Sequence, residues 1–523
     1  MIIDAYELTP LQAGMLVHAV STPESLAYHV QFQADLTGRV DPDRLHEAWT
    51  HLVERHHVLR TSFHWRGLDK PLQVVRPSAT LPWRVEDWRS RTSEDQARDW
   101  AGLVAVDQAT PFDLERAPLM RIALIRRSDA RWSFCWSHHH LLLDGWCLRP
   151  LLEELLARYA EPTHARAEPA QFGRYVRWLQ QQTSADSEYF WRETLAGFTA
   201  ATPLPARDVT ERRETEWADA ICTGSIDATR TAALMALCRT QGVTLATALQ
   251  AAWALVLARY SGEPDVVFGQ TVAGRPPGLP GAEAILGPFI NTIPVRADVT
   301  ATATVSAFLH ALARGQAQRD AHAHVALADI QRWSDVTPGT ALFESALIVQ
   351  NFRAESREQR DTAAFTITPV ALLDRTNLPL TIQFTPGETL EIECAYDSRR
   401  FDPAFMARVP GHLAQVLVAF VDAPEAALSS VELLTPPELA QLNAWNATDA
   451  PLDARQLRRL ALRAGAGLAR TGSVFGHGSG DIALAFSTAC TIPQDPLRPM
   501  PALAMLHDAL LDGLFQAAAD STE

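Results

Sequence analysis

The chain has 523 residues, 47% of them hydrophobic, so it is too long for one ordinary core and two or three compact units are expected. A formal net charge of -15 argues against a general nucleic-acid partner. No apolar run approaches the ~20 residues that span a bilayer, and the first residues lack the features of a signal peptide, so we expect a cytoplasmic protein without a membrane partner.

The cysteines are scattered along the chain, without CxxC pairs or other tight spacing. This pattern indicates neither a zinc site nor a disulfide framework, and reduced, mostly buried thiols are expected. The six positions are Cys135, Cys147, Cys222, Cys238, Cys394 and Cys490.

The first part of the chain begins with an amphipathic pattern over residues 6–18, in which Thr9 and Pro10 are typical of a helix start. A strand-like segment follows at residues 27–38. Residues 41–55 then have the apolar spacing of a second helix. The order helix, strand, helix indicates a mixed α/β unit.

The segment around three consecutive histidines carries the most specific pattern. Residues 131–137 alternate between apolar and other side chains, which predicts a strand, and an amphipathic helix is expected from Asp144, a candidate N-cap, to Ala160. Neighbouring side chains of a strand point to opposite faces, so His139 and His140 cannot both face one cavity. One of them is therefore expected to face a functional site, and the other to support the structure around it.

The second half, residues 205–430, alternates strands and helices. Residues 244–262 predict a helix rich in alanine and leucine. Residues 285–296 predict a strand that is broken by Gly287 and Pro288. Residues 377–402 predict two strands around a Pro-Gly turn.

Residues 139–145, HHLLLDG, match the HHxxxDG signature of nonribosomal peptide synthetase condensation domains, a branch of the chloramphenicol acetyltransferase-like acyltransferases. The resemblance extends over residues 5–446, and the opening LTPLQAGML is similar to the subgroup that accepts a donor ending in a D-amino acid. The other segments that resemble family motifs, in the family's order, are residues 6–18, 55–63, 172–182, 188–198, 285–296, 326–333 and 341–352.

The resemblance implies an α/β fold of two acetyltransferase-like lobes, residues 1–178 and 179–446, in a V-shaped pseudo-dimer with the active site in a tunnel between them. It also implies an acyltransferase that forms a peptide bond. Both substrates would be thioesters on the 4'-phosphopantetheine arms of donor and acceptor peptidyl carrier protein domains. We expect a monomer with no covalently bound cofactor and no metal.

Residue roles follow from the same resemblance. His140 is expected to face the tunnel, where it accepts a proton from the attacking ammonium or positions the neutral amine. His139 is expected to have a structural role. Asp144 is expected to be structural and paired with Arg60, and Gly145 to permit a tight turn. Candidates for the tunnel wall are His138, Trp146, Asn291 and Ser345. For His138, a packing role or a position at the rim is favoured.

Other interpretations remain open. A docking module that binds carrier proteins without chemistry has the same fold, and an ester-forming variant would use an alcohol acceptor. A metalloenzyme using His138, His140 and Asp144 has little support, because no second cluster of ligands completes a site. Heterocyclisation domains carry aspartate where this chain has His139, and Trp146 follows the condensation pattern rather than the epimerisation pattern.

The tail, residues 447–523, predicts an arginine-rich amphipathic helix, a glycine-rich loop and a strand. It resembles the later part of the self-processing β-peptidyl aminopeptidases of the DmpA-like group, in which Ser479 and Asp481 would match polar active-site positions. The upstream segment lacks the serine that is the family's nucleophile. We therefore expect a non-catalytic fragment, and a flexible glycine loop is the simpler interpretation of residues 476–481.

Overall fold

The structure is a computed structural model. It describes residues 2–22, 27–163, 167–182, 185–205, 219–276, 278–299, 304–350, 360–362, 364–374, 378–448 and 486–487. These residues belong to two compact units, and each unit combines segments that are distant in the chain. The first unit contains residues 1–201, 267–296 and 313–395, and the second contains residues 202–266, 297–312 and 396–523. The lobe boundary at residue 178 stays a prediction.

Strands and helices alternate through most of the described chain. The strands are β1 Asp4–Glu7, β2 His29–Gly38, β3 Thr61–His64, β4 Leu72–Val75, β5 Trp83–Asp87, β6 Met120–Arg126, β7 Arg131–His139, β8 Asp219–Ile226, β9 Asp265–Val272, β10 Asn291–Asp298, β11 Ser345–Val349, β12 Arg360–Asp361, β13 Phe365–Leu373, β14 Leu380–Thr385, β15 Leu390–Asp397, β16 Ala447–Thr448 and β17 Phe486–Ser487. The helices are α1 Pro10–Ser21, α2 Pro42–Arg55, α3 Ser93–Ala109, α4 Leu148–Ala160, α5 Gly173–Gln180, α6 Ala185–Leu195, α7 Ala228–Gln241, α8 Leu245–Ser261, α9 Val305–Ala321, α10 Leu327–Trp333, α11 Pro403–Met406, α12 Val409–Asp422 and α13 Pro436–Asn446.

The helix starts predicted in the first part of the chain are confirmed. Thr9 caps α1 and forms a capping box with Gln12, in which each side chain bonds the other residue's backbone N–H. Asp41 caps α2 by accepting bonds from the backbone N–H groups of Asp43 and Arg44. Both caps satisfy donors that the first turn of a helix leaves without partners.

The first sheet of the first unit has the strand order β12, β13, β2, β7, β6, β5. β7 pairs antiparallel with both β2 and β6, and β13 pairs antiparallel with β2. The core of this unit includes Trp132, Phe134 and Trp136, the predicted apolar face of β7, together with Trp49 and Leu52 of α2. The sheet therefore holds β7 between two neighbours, and its carboxyl end is fixed on both sides.

Another sheet includes the consecutive strands β10, β9, β11, β14 and β15, and β11 is parallel to both β9 and β14. The break predicted by Gly287 and Pro288 is confirmed, because β10 begins only at Asn291. The two strands predicted within residues 377–402 are β14 and β15, separated by a turn at Pro386 and Gly387.

In the second unit, α12 packs on α7, α8 and β8. The stretch Pro403–Asp422 reaches the length and apolarity of a bilayer-spanning helix, with a mean hydropathy of 1.4 over its most apolar window, so the expectation that no such run exists is wrong there. Leu413, Val416 and Phe420 of this stretch are fully buried in the unit. The buried core helix of a globular protein can have the same length and apolarity, so this stretch alone does not indicate a membrane protein.

Candidate active site

The three histidines lie at the carboxyl end of β7, as the sequence predicts. In the sheet, His138 lies opposite Val30 of β2 and Met120 of β6. Beyond the end of β7, the backbone N–H of His140 donates to the Tyr28 carbonyl at 2.8 Å. The pairing with β2 thus continues for one more residue and fixes where His140 leaves the sheet.

A pocket of about 380 Å³, part of it open to solvent, lies beside this end of β7. His138 and His140 both line it, as the alternation of strand side chains requires, and His139 does not. The complete lining is Val30, Phe32, Trp136, His138, His140, Leu143, Asp144, Gly145, Leu148, Leu372 and Asp374.

Three residues expected at the tunnel wall are not part of this lining among the described residues. Trp146 is 43% exposed, and the centroid of its ring lies 5.8 Å from Cζ of Arg275. The amide of Asn291 is buried and donates to the carbonyls of Ala323 at 2.8 Å and Val325 at 2.6 Å. Ser345 is buried at the start of β11.

Asp144 is the best-anchored side chain of the pocket, and its side chain is fully buried. Oδ2 accepts hydrogen bonds from the backbone N–H groups of Phe289 at 2.9 Å and Ile290 at 3.3 Å. The guanidinium of Arg275 donates to both carboxylate oxygens, at 3.1 and 3.3 Å. Such a buried, two-pronged ion pair holds the carboxylate in one orientation. Asp144 precedes a short 3-10 helix, Gly145–Cys147, without capping it through its side chain.

The prediction that Arg60 pairs with Asp144 is wrong. Nη1 of Arg60 instead donates to the carbonyls of Arg76 at 2.5 Å and Pro77 at 3.5 Å. Burial lowers the pKa of Arg60. The sequence offered Arg60 as a cation within the family-like segment 55–63, whereas Arg275 lies 131 positions after Asp144 and no local pattern links them.

The Cys147 thiol connects Asp144 to the segment before β10. Its Sγ lies 3.1 Å from Oδ1 of Asp144, 3.3 Å from the carbonyl oxygen of Gly287 and 3.2 Å from the N–H of Gly287, which donates to it. Burial and the nearby Asp144 charge raise the pKa of the thiol, so it stays protonated. A side chain at Gly287 would place its Cβ 2.0 Å from the Phe172 ring, so only glycine fits there.

The surroundings keep two of the histidines neutral. Burial, followed by the neighbouring His140, lowers the pKa of His138 to about 3 and that of His139 to about 3. Nδ1 of His139 accepts the backbone N–H of Leu141 at 3.1 Å, and its ring packs edge-on against Phe112. His139 therefore shapes the turn after β7.

His140 has a different environment. Its Nε2 lies 3.8 Å from Oδ2 of Asp374, and its buried Nδ1 has no hydrogen-bond partner among the described residues. Asp374 follows directly after β13, two strands away from β7 in the sheet. No sequence pattern pointed to this carboxylate, because Asp374 lies 234 positions after His140 and no spacing connects the two.

The described residues contain no group of three or more His, Cys, Asp or Glu side chains placed to hold a metal ion. The alternative of a metal site on His138, His140 and Asp144 therefore has no geometric support in this part of the chain. The arrangement instead offers the His140 imidazole, the Asp374 carboxylate near it and an apolar wall, which suits proton transfer or the positioning of an amine.

Residues 2–443 match the model of the condensation domain family. The chain belongs to the condensation-domain family. Among curated relatives, this condensation domain is 38% identical over 449 residues to a linear gramicidin synthase of Brevibacillus parabrevis, covering 84% of the chain and 6% of that protein. It is 35% identical over 429 residues to the chondramide synthase of Chondromyces crocatus, covering 80% of the chain and 11% of that protein. The chain thus spans a small part of these relatives' length.

Solved structures support the same fold. The X-domain from teicoplanin biosynthesis, in its complex with OxyB, matches with a TM-score of 0.71 at 23% identity, over 83% of this chain and 97% of that one. The starter condensation domain of rhizomide synthetase matches with a TM-score of 0.67 at 19% identity, over 82% of this chain and 98% of that one. The expected chloramphenicol acetyltransferase-like α/β fold of condensation domains is confirmed.

The end of the chain has a separate similarity. Residues 444–523 match the model of peptidase family S58. The structure describes the short parallel pair of β16 and β17 in this tail. Ser479, Asp481 and the glycine-rich segment 476–481 lie outside the described residues, so the finer resemblance to DmpA-like aminopeptidases stays a prediction.

Proposed function

We propose that this condensation domain forms peptide bonds between two carrier-bound substrates. The donor is an acyl or peptidyl thioester, and the acceptor is an aminoacyl thioester whose amine attacks the donor carbonyl. The observation that carries this proposal is the placement of His140 in the wall of a pocket whose neighbouring Asp144 is fixed by Arg275 and two backbone donors. Donor and acceptor peptidyl carrier protein domains, each with a 4'-phosphopantetheine arm, are the proposed partners.

In this mechanism His140 positions the acceptor amine and takes up a proton from it. General-base assistance is typically worth ~10²- to 10⁴-fold, and holding two tethered reactants in line contributes as much or more. Asp144 and Gly145 keep the loop after β7 in place, and His139 fixes the turn. These residues act on the geometry of His140 and not on the substrates.

The donor is proposed to end in a D-amino acid. The support comes from two segments, LTPLQAGML at residues 8–16 and ALFESALIVQNF at residues 341–352. Both sequences are similar to the corresponding motifs of the D-donor subgroup. An assay with matched D- and L-aminoacyl donor carriers tests this point, and faster transfer from the D-donor is the expected result.

The decisive experiment is a single-turnover assay. A D-aminoacyl carrier and an aminoacyl carrier are mixed with the purified chain, and the acceptor carrier is followed by intact mass. We expect a dipeptidyl acceptor with the native chain and a rate ~10²- to 10⁴-fold lower with His140→Ala. His310→Ala, which removes an exposed histidine of α9, serves as the control and is expected to keep the native rate.

Other outcomes separate the alternatives. Carrier binding without product from any donor and acceptor pair would contradict catalysis and identify a docking module. Product only with a hydroxyacyl acceptor would identify the ester-forming variant. An unchanged rate in His140→Ala would refute the role of this residue.

A further inference from the structure

The pocket beside β7 is lined by two carboxylates that differ in their surroundings. Asp144 is bound by Arg275 and by the N–H groups of Phe289 and Ile290. Asp374 makes no hydrogen bond to the described residues, and its ion-pair contact is with His140. Among the described residues, Asp374 is therefore the carboxylate of this pocket that has no arginine partner.

Asp374 and His140 lie close enough for both to contact a third group beside them, without bonding each other directly. Oδ2 of Asp374 and Nε2 of His140 are 3.8 Å apart, which is longer than the ~3.2 Å limit of a good hydrogen bond. A nitrogen with several N–H donors can lie ~2.8 Å from both atoms at once. A primary ammonium group has this donor set, whereas an ether, a thioester or a methyl group does not.

The rest of the wall strengthens an interaction of this kind. The Asp374 side chain is 22% exposed and that of His140 is 7% exposed, so a group between them is largely shielded from water. Val30, Phe32 and Leu372 add apolar surface. His138 stays neutral and brings no competing positive charge. In such a site, the attraction between a carboxylate and a cation is larger than in bulk water.

We propose that Asp374 binds the α-ammonium group of the acceptor substrate and holds it against Nε2 of His140. This inference rests on the proposed condensation function, and it names the residue that recognises the acceptor's amine. Asp374 is a substrate-binding residue here, and His140 is the residue that receives the proton.

The step balances in atoms and charge. The ammonium gives one proton to Nε2 of His140, and the resulting imidazolium remains next to the Asp374 carboxylate. The free amine then attacks the donor carbonyl carbon, the new C–N bond forms, and the C–S bond breaks. The nitrogen then loses a second proton, and the leaving thiolate gains one. Overall, an ammonium group and a thioester give an amide, a thiol and one proton. His140 passes that proton to solvent.

Binding of two stable acceptor probes tests the proposal without requiring any reaction. One probe is alanine joined to a pantetheine arm through an amide in place of the thioester, and the other is the propionyl analogue, which lacks the ammonium. Isothermal titration calorimetry on the full chain gives both Kd values. We expect the alanyl probe to bind about 10-fold more tightly than the propionyl probe, the size of one charged hydrogen bond.

Substitutions at Asp374 then locate the preference. Asp374→Asn keeps the shape and removes the charge, so it is expected to bind both probes equally, while Asp374→Glu retains part of the preference. Asp69→Asn, at an exposed loop residue, is the matched control and keeps the native preference. Unchanged propionyl binding in each variant shows that the pocket is intact.

Two results would overturn the proposal. The first is a native chain that does not prefer the alanyl probe, and the second is a preference that survives in Asp374→Asn. If Asp374 only orients His140, Asp374→Asn lowers the condensation rate but keeps the preference for the alanyl probe. That outcome is a case of the second result. The readout is independent of the condensation assay, so a failure of catalysis and a failure of ammonium recognition give different results.

Discussion

The ion pair between Asp144 and Arg275 gives the sharpest test of how this site is held together. Replacing Arg275 with methionine keeps most of the side chain's volume and removes the guanidinium. The Asp144 side chain is fully buried and that of Arg275 is 9% exposed, so the remaining carboxylate would stay in the protein without its counter-charge. We expect Arg275→Met to lower the free energy of unfolding.

The size of the effect follows from the geometry. At the observed 3.1 Å, two unit charges attract by about 5 kcal/mol with an effective dielectric constant of about 20. Breaking a buried pair from one side typically costs ~3–5 kcal/mol. The N–H groups of Phe289 and Ile290 still hold the carboxylate, so we expect the lower end, about 3 kcal/mol.

A double-mutant cycle separates this pair from the partner that the sequence suggested. Urea unfolding, followed by tryptophan fluorescence, is measured for Asp144→Asn, Arg275→Met and the double variant, and the same cycle is made with Arg60→Met. We expect a coupling of ~2–3 kcal/mol between Asp144 and Arg275, and less than ~0.5 kcal/mol between Asp144 and Arg60. A larger coupling with Arg60 would refute the assignment.

Two further predictions concern packing and pH. Gly287→Ala should lower the free energy of unfolding by ~1–3 kcal/mol, because the added Cβ would lie 2.0 Å from the Phe172 ring; Gly14→Ala, with open space around it, is the control, and equal effects in urea unfolding would contradict the argument. The pKa values of His138 and His139 are lowered to about 3, so below the ordinary value of ~6.5 the unfolded chain takes up protons that the folded chain does not. The free energy of unfolding should therefore fall with pH from ~6.5 towards 3, by up to ~1.4 kcal/mol per pH unit for each histidine. The double variant His138→Gln/His139→Gln should show a shallower pH dependence, and an identical slope would show that other groups cause it.

The local features of the fold were predictable because they depend on neighbours in the chain. The alternation over residues 131–137 predicted β7, and its period of two also predicted that His138 and His140 share a face that His139 does not. Thr9 and Asp41 marked helix starts because their side chains bond backbone groups within the next three residues. Gly287 and Pro288 likewise predicted a break in the apolar run, and β10 begins after them, at Asn291.

The residues that complete the site were not predictable in this way. The sequence proposed Arg60 as the partner of Asp144 because its motif supplies a cation, yet any arginine of the chain satisfies that requirement on charge alone. The tertiary structure selects Arg275 by bringing the segment before β10 to the end of β7. Similarly, Asp374 approaches His140 only because β13 pairs with β2 beside β7.

The sequence by itself determined strand β7, the helix starts at Thr9 and Asp41, the family signature HHxxxDG and the face on which His140 lies, since each is encoded within a few consecutive residues. The tertiary structure alone decided which charge neutralises Asp144 and which carboxylate faces His140. Ion pairs depend on distance in space and carry no fixed spacing in the chain. The loop between β9 and β10 brings Arg275 to Asp144, and the pairing of β13 with β2 brings Asp374 to His140, in both cases within 4 Å.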